Sequence, residues 1–143
     1  MTKRVSNPKP RVVIGTNVLI SGIVFGGKPR QLLDLLAERA IIVVIAEELL
    51  TELRRKIITK FPDFIEDLER VEKLLKRDAI TVRLGTMQVA VCRDPDDDKF
   101  IETATVGTAG YIIIGDKDLL VLKEYQAITI LTPADFLKNI GNQ

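Results

Sequence analysis

The sequence predicts an α/β fold, a single domain in which a parallel sheet lies between helices. Short β-branched runs alternate with helical stretches along the whole chain, which is the pattern of a doubly wound sheet. The first run, residues 11–14, is apolar after its first residue, as expected of a strand buried on both faces. A length of 143 residues suits one domain with a sizeable core, and no linker or repeat divides it. We therefore expect a disordered lead-in over residues 1–10 and one domain over residues 11–143.

The predicted elements follow one another in regular alternation. Strands are predicted at residues 11–14, 41–45, 80–82, 111–114 and 128–131. After a turn at 15–17 and a first helix of small and apolar residues, further helices are predicted at residues 29–39, 46–60, 61–77, 98–108, 117–122 and 133–140. Thr16 or Asn17 is expected to cap the first helix, and Thr132 the last, because their side-chain oxygens accept hydrogen bonds from free helix amides. Residues 83–97 are predicted to be a loop with an extended stretch at 88–92.

The composition excludes several kinds of functional site. One cysteine and no histidine exclude a disulfide framework, Cys/His zinc sites and His-dependent triads, so any chemistry must rest on carboxylates. A net charge of +1 does not indicate a nucleic-acid binder, so RNA contacts must come from local basic clusters. No apolar run is long enough to span a membrane, and residues 1–10 lack the apolar core of a signal peptide. A cytoplasmic location is the default expectation.

Glu52 lies in the predicted helix 46–60, on the border of its apolar face. That face centres between Leu49 and Ile57, and at about 100° per residue Glu52 falls about 110° from the centre. A carboxylate there can reach the rim of a pocket while its helix packs on the core. The alternative is a solvated Glu52 side chain paired with Lys56 four residues on. The pattern alone leaves both interpretations open.

The segment RDPDDDK, residues 93–99, has four Asp within five residues just before a predicted helix. Asp is favoured at helix caps and first turns, which accounts for one or two of them. Packing more like charges together is costly unless a cation or a basic partner neutralises them. Asp98 is the best candidate metal ligand, because helical geometry places it on the same side as Ile101 and Thr105, which we expect to face the sheet.

Asp116 and Asp118 follow the predicted strand 111–114 at its carboxyl end. Ligands bind at that end of the strands in open α/β sheets, so two carboxylates there are well placed for a cation. The alternative is a turn in which Asp116 only caps the next helix. Oxygen ligands without His or Cys point to Mg²⁺ or Mn²⁺, and acidic clusters holding such ions suit hydrolysis of phosphodiesters.

Five stretches, taken in order over about residues 11–137, resemble the PIN domain family of metal-dependent nucleases. They are RVVIGTNVL, AEELLTELRRKI, DPDDDKFIETA, YIIIGDKDLL and ILTPADFL, and they are most similar to a prokaryotic subgroup of toxin components. Two positions depart from the family pattern. Gly15 stands where the family has a metal-ligating Asp, and Ile114 stands where the subgroup often has Thr or Ser.

The resemblance implies a three-layer α/β/α fold with a five-stranded parallel sheet of order 3-2-1-4-5. It also implies Mg²⁺- or Mn²⁺-dependent cleavage of RNA, and a cognate antitoxin that blocks an acidic pocket at the switch point between strands one and four. The carboxylates it assigns to catalysis and metal binding are Glu52, Asp98 and Asp116, with Asp118 as an accessory ligand. The expected lining of the pocket is Gly15, Thr16, Asn17, Asp94 and Asp97. Crowded like charges are expected to raise the pKa of at least one carboxylate.

Gly15 removes one of the four carboxylates that the resemblance implies, so we expect a nuclease that binds metal weakly and cleaves RNA poorly or not at all. The basic side chains expected to contact RNA are Lys28, Arg30, Arg54 and Lys117. A catalytically dead module that binds RNA or a protein through the same groove is the alternative, and a homodimer is also left open. A nucleotide-binding Rossmann-like protein is disfavoured, because GTNVLISG is not the Gly-rich phosphate fingerprint.

Overall fold

The structure is a computed structural model, and it describes residues 9–141. Most of the predicted lead-in therefore lies outside the described residues. Six strands lie in this range: β1 (Arg11–Ile14), β2 (Ile42–Ala46), β3 (Ile80–Val82), β4 (Tyr111–Ile113), β5 (Glu124–Tyr125) and β6 (Ile128–Leu131). The helices in the same range are α1 (Thr16–Val24), α2 (Gly27–Ala37), α3 (Glu47–Lys60), α4 (Ile65–Asp78), α5 (Asp98–Val106), α6 (Lys117–Leu120) and α7 (Pro133–Gly141).

The strands form one mostly parallel sheet of order β3-β2-β1-β4-β6-β5. The five predicted strands are present, parallel and in the expected order, which confirms the predicted fold class. The sheet has one strand more than expected, because β5 pairs antiparallel with β6 at the edge. The turn between them has left-handed backbone at Gln126 and Ala127, with φ of 46° and 70°. Two-residue turns of this kind are usually marked by Asn or Gly, so the sequence carried no signal for this hairpin.

Several local predictions need correction. The predicted helix 61–77 begins as a 3₁₀ turn at Pro62–Phe64 and continues as α4. The predicted loop 83–97 is present over residues 83–94 and ends in a 3₁₀ turn at Pro95–Asp97. Helix α1 begins at Thr16, so its N-cap is Gly15 and not the predicted Thr16 or Asn17. The predicted cap of α7 is confirmed, since the Asp135 amide donates to Thr132 Oγ1 at 3.2 Å.

The central strands are buried on both faces. Val12, Val13 and Ile14 of β1 are each no more than 3% exposed, and since neighbouring side chains point to opposite faces, helices must cover both. Strand β1 lies between β2 and β4. From β1 the chain adds β2 and β3 towards one edge of the sheet, and β4 and β6 then follow towards the other edge, so the strand order reverses at β1. A crevice at the carboxyl ends of β1 and β4 is the binding place such a sheet offers. Within the described part of the chain, no helix is long and apolar enough to cross a membrane.

Candidate metal centre

A cavity of about 520 Å³ opens at the carboxyl ends of β1 and β4. Its lining includes two of the three predicted catalytic residues, Glu52 and Asp116. It also includes all five residues predicted to line the pocket, namely Gly15, Thr16, Asn17, Asp94 and Asp97. The switch-point argument therefore located the pocket correctly, and Asp98 is the predicted catalytic residue that the structure does not bring to it.

Three carboxylates meet on one side of the cavity. One oxygen each from Asp94, Asp97 and Asp116 lies within 4.8 Å of the others, and we call these residues the acidic cluster. Asp116 caps α6, accepting the Asp118 amide at 2.8 Å, and Asp94 caps the 3₁₀ turn Pro95–Asp97 in the same way. The capping interpretation and the metal interpretation are therefore compatible, because a carboxylate that caps a helix through one oxygen keeps a second for another partner.

Asp97 is the buried member of the cluster. It is 5% exposed, and within the described residues its Oδ2 atom is buried without a hydrogen-bond partner. Burial, and after it the negative charge of Asp116, raises the pKa of Asp97 to about 6, as expected for crowded like charges. A buried oxygen without a partner is costly, and a cation would satisfy it. Because all three groups offer hard oxygen donors, the set fits a divalent cation such as Mg²⁺ or Mn²⁺.

Asp98 holds a loop instead of lining the cavity. Its Oδ1 accepts the amides of Val91 at 3.1 Å and Cys92 at 2.8 Å. Burial opposes ionisation, but these hydrogen bonds hold the pKa of Asp98 below its ordinary value. The structure therefore places Asp97, and not the predicted Asp98, in the lining of the cavity, because the 3₁₀ turn before α5 sets the direction of Asp97 while Asp98 is taken up by the loop.

Glu102, one helical turn beyond Asp98, holds the same loop. Its buried carboxylate accepts the amides of Gly85 at 2.7 Å, Thr86 at 3.0 Å and Met87 at 3.4 Å. The i, i+4 spacing places both acids on one face of α5. Together they fix the segment that ends at Asp94, so the loop delivers one carboxylate of the acidic cluster.

Glu52, on α3, also lines the cavity but is not part of the acidic cluster. Its Oε2 accepts a hydrogen bond from Lys99 Nζ at 3.0 Å. Burial opposes ionisation, yet the hydrogen bonds from Lys99 and Thr16 hold the pKa of Glu52 below its ordinary value. One of the two interpretations left open by the sequence paired Glu52 with Lys56, and neither found Lys99, because a contact between α3 and α5 leaves no periodic signal.

The floor of the cavity is apolar at position 15. Gly15 has φ −59° and ψ 147°, a backbone conformation that any residue can adopt. A Cβ atom there would lie 3.1 Å from Cγ1 and 3.2 Å from Cδ1 of Ile114. These distances are tighter than ordinary van der Waals contact, so a side chain at position 15 requires Ile114 to move. The two residues that depart from the family pattern are therefore packing neighbours.

The other predicted site residues lie outside the acidic cluster. Asp118 pairs with Arg93 at 3.2 Å. Arg54 pairs with Glu72 at 2.6 Å, and Arg30 donates to the carbonyls of Gly22 and Ile23 at the end of α1. None of the four side chains predicted to contact RNA, Lys28, Arg30, Arg54 and Lys117, is among the described residues that line the cavity. The lysines that do line it are Lys56 and Lys99.

Comparisons with known proteins identify the family of the chain. An uncharacterized protein of Methanocaldococcus jannaschii is 32% identical over 142 aligned positions, which span 91% of each chain. No solved structure matches the chain. A family model described as PIN domain matches residues 11–118, a range that includes β1, the loop, the acidic cluster and Asp118. The chain therefore belongs to the PIN domain family.

Proposed function

We propose that this protein is a divalent-metal-dependent endoribonuclease, the toxin component of a toxin–antitoxin pair, with activity weakened at position 15. The observation that carries the proposal is Asp97, whose buried Oδ2 atom has no hydrogen-bond partner among the described residues and whose carboxylate lies in one cluster with those of Asp94 and Asp116. Membership of the PIN domain family supports a nuclease. RNA as substrate and the toxin role rest on the resemblance to the prokaryotic subgroup, and a cytoplasmic location is proposed as the default for a sequence of this composition.

In this proposal the residues divide the work between them. Asp94, Asp97 and Asp116 would hold Mg²⁺ or Mn²⁺, and Asp97 must be ionised to do so. A bound ion of this kind activates water and stabilises negative charge on a phosphate. A cavity of about 520 Å³ is the size of a small-molecule site, which favours one or two unpaired nucleotides over a duplex. Single-stranded RNA is therefore the proposed substrate.

The weakened activity follows from two features of the cavity. Position 15 supplies no carboxylate, and Glu52 is already neutralised by Lys99. A metal held by three carboxylates has lost an anion and a geometric anchor relative to the four that the resemblance implies. Losing even about 3 kcal/mol of transition-state stabilisation slows a reaction roughly a hundredfold. We therefore propose a slow enzyme whose antitoxin covers the mouth of the same cavity.

Cleavage of single-stranded RNA in Mn²⁺ tests the proposal. The native protein should cleave slowly, and Asp97→Asn and Asp116→Asn should reduce cleavage to the level seen in EDTA. Asp63→Asn is the matched control, because Asp63 is an exposed Asp outside the cavity and its loss should leave cleavage unchanged. Cleavage that survives both cluster variants, or that does not need a divalent ion, would contradict the proposal.

A catalytically dead module that binds RNA or a protein is the second candidate. The observation that favours it is the close approach of the Ile114 side chain to Gly15, because Ile114 occupies space that a metal-ligating side chain at position 15 would need. Such a module should bind single-stranded RNA or its protein partner equally well in Mn²⁺ and in EDTA. Absence of cleavage together with metal-independent binding would favour this candidate over the nuclease.

A further inference from the structure

A pair of phenylalanine rings joins the ends of α1 and α3. The rings of Phe25 and Phe61 meet edge to face, with their centroids 5.9 Å apart. Phe61 is half-buried, whereas Phe25 is 73% exposed and is the most exposed aromatic side chain in the described part of the chain. The contact with Phe61 leaves most of the Phe25 ring in water, so the fold does not use this ring to fill its core.

The pair lies one helical turn from the lining of the cavity on both helices. On α1, Ser21 lines the cavity and its carbonyl accepts the Phe25 amide at 2.8 Å, so Phe25 follows Ser21 by one turn of about 5.4 Å. On α3, Lys56 lines the cavity, and Lys60, which directly precedes Phe61, lies one turn further along the same face. A ligand that leaves the cavity along these two helices therefore reaches Phe25.

The chain turns away directly after Phe25 and leaves the space beside it open. Gly26 and Gly27 have left-handed backbone, with φ of 86° and 67°, which glycine adopts without strain. A Cβ atom added at Gly26 would meet no atom within 4 Å apart from its neighbours in the chain. The surface beside the Phe25 ring is therefore accessible to a ligand.

The charges that flank the pair favour a polyanion. Residues 21–31 contain two Lys or Arg and no acid, and residues 54–64 contain four Lys or Arg and one acid, Asp63. Lys28 and Lys60, both exposed, form no ion pair within the range that the structure describes. Their charge is available to an anionic ligand.

The exposed apolar surface at the pair is too small to favour a protein partner. The other large apolar side chains that are exposed among the described residues are Ile58, Met87, Val106 and Val121, and only Ile58 belongs to α1 or α3. Proteins that bind single-stranded nucleic acids combine exposed aromatic rings with basic side chains, since every base has a flat face that can stack.

We propose that Phe25 stacks on a base of the single-stranded RNA, at the first nucleotide that lies outside the cavity. This inference rests on the proposed function for the identity of the ligand. A cavity that holds one or two nucleotides leaves the rest of the strand outside, and α1 and α3 lead the strand to Phe25. Phe61 supports the ring at its edge, and Lys60 contacts a phosphate beside the stacked base.

Binding of a fluorescent RNA hexanucleotide in EDTA, where metal-dependent cleavage cannot occur, tests the stacking contact. Phe25→Leu keeps an apolar side chain but removes the ring, so it should weaken binding about fivefold to tenfold, the lower part of the range for one stacked base. Phe25→Tyr should bind as the native protein does, because the ring is kept. Val106→Ala is the control for loss of exposed apolar surface outside the cavity and should change nothing.

The salt dependence of the same binding separates stacking from charge. Phe25→Leu should leave the slope of log affinity against log salt unchanged, because stacking releases no counterion. Lys60→Met should lower that slope by about 0.7, the value for one phosphate contact with a single strand. Lys73→Met is its matched control, because Lys73 is exposed on α4 and does not line the cavity, and it should leave the slope unchanged.

A spectroscopic measurement reports on the ring itself. The chain contains no tryptophan, so Phe25→Trp introduces a single fluorophore at the proposed contact. Its emission should be quenched on addition of the hexanucleotide, at the concentrations where the labelled RNA binds. A change of emission with protein concentration alone would instead assign Phe25 to a contact between two copies of the chain, and would overturn the proposal.

Equal RNA affinity of Phe25→Leu and the native protein, or emission of Phe25→Trp that RNA does not change, would also overturn it and leave the ring to a protein partner. Weaker binding with an altered salt slope in Phe25→Leu would mean that the substitution disturbs the lysines, and would count against stacking. These outcomes are separate from the proposed function, whose failure shows as metal-independent cleavage or none. A protein that does not cleave can still bind RNA through Phe25.

Discussion

Two groups of acidic residues that line the cavity differ in how their charge is balanced. In the acidic cluster, Asp94, Asp97 and Asp116 crowd together, and Asp97 keeps a buried oxygen without a partner in the described part of the chain. Glu52, by contrast, accepts a hydrogen bond from Lys99, which balances its charge. The negative charge of the acidic cluster calls for a ligand, whereas that of Glu52 is balanced within the protein. Ligand sites in this molecule are therefore indicated by charge that the protein leaves unbalanced, not by the number of acids.

The largest expected effect comes from adding a carboxylate at position 15, next to the uncompensated charge of the cavity. The double variant Gly15→Asp/Ile114→Thr should raise Mn²⁺-dependent RNA cleavage roughly a hundredfold, since about 3 kcal/mol of metal-assisted stabilisation returns. Gly15→Asp alone should gain less and unfold at a lower temperature, because its Cβ atom would lie 3.1 Å from Ile114 Cγ1. The measurement is the initial rate of cleavage together with thermal unfolding for both single variants and the double variant.

Asp116→Asn in the double-variant background controls for contaminating nuclease. If the effects of the two single substitutions on rate and on stability simply add up in the double variant, the packing contact between positions 15 and 114 would be contradicted.

A moderate effect is expected where α5 holds the loop that delivers Asp94. Glu102→Gln weakens three hydrogen bonds to the amides of Gly85, Thr86 and Met87. Hydrogen bonds to a charged group contribute about 1.5–3 kcal/mol, so amide exchange of these residues should accelerate about tenfold to a hundredfold. Native-state hydrogen exchange with mass-spectrometric detection measures this, with Glu38→Gln on the exposed end of α2 as the control. Unchanged exchange would show that other contacts hold the loop.

The smallest expected effect is on stability against pH in metal-free buffer. The pKa of Asp97 is raised from 3.8 to about 6, so between these values the folded protein binds more protons than the unfolded chain. Stability should therefore increase as the pH falls from about 6 towards 3.8, and this contribution is lost as the pH rises through about 6. Asp97→Asn should remove this part of the slope and stabilise the metal-free protein at pH 7. Urea unfolding at several pH values measures it, and a wild-type slope in the variant would mean that another group titrates.

The sequence predicted the architecture, the place of the cavity and Asp97 in its lining, but it assigned the metal to Asp98, which does not line the cavity. Strand order and the switch point follow from the alternation of β-branched runs and helices, and from the family motifs. The choice between Asp97 and Asp98 depends on one residue of helix phase, which the 3₁₀ turn Pro95–Asp97 sets, and periodicity in α5 does not extend into that turn. The pairing of Lys99 with Glu52 joins residues 47 positions apart, so it could emerge only from the fold.

Binding of Mn²⁺ to the metal-free protein at pH 7.5, measured by calorimetry, tests most directly the contrast between the acidic cluster and the Glu52–Lys99 pair. The account predicts one ion per chain, lost in Asp97→Asn, retained in Asp63→Asn, and weakened at pH 5, where Asp97 becomes protonated because its pKa is about 6. Two ions per chain, no binding at all, or binding that survives Asp97→Asn would contradict it.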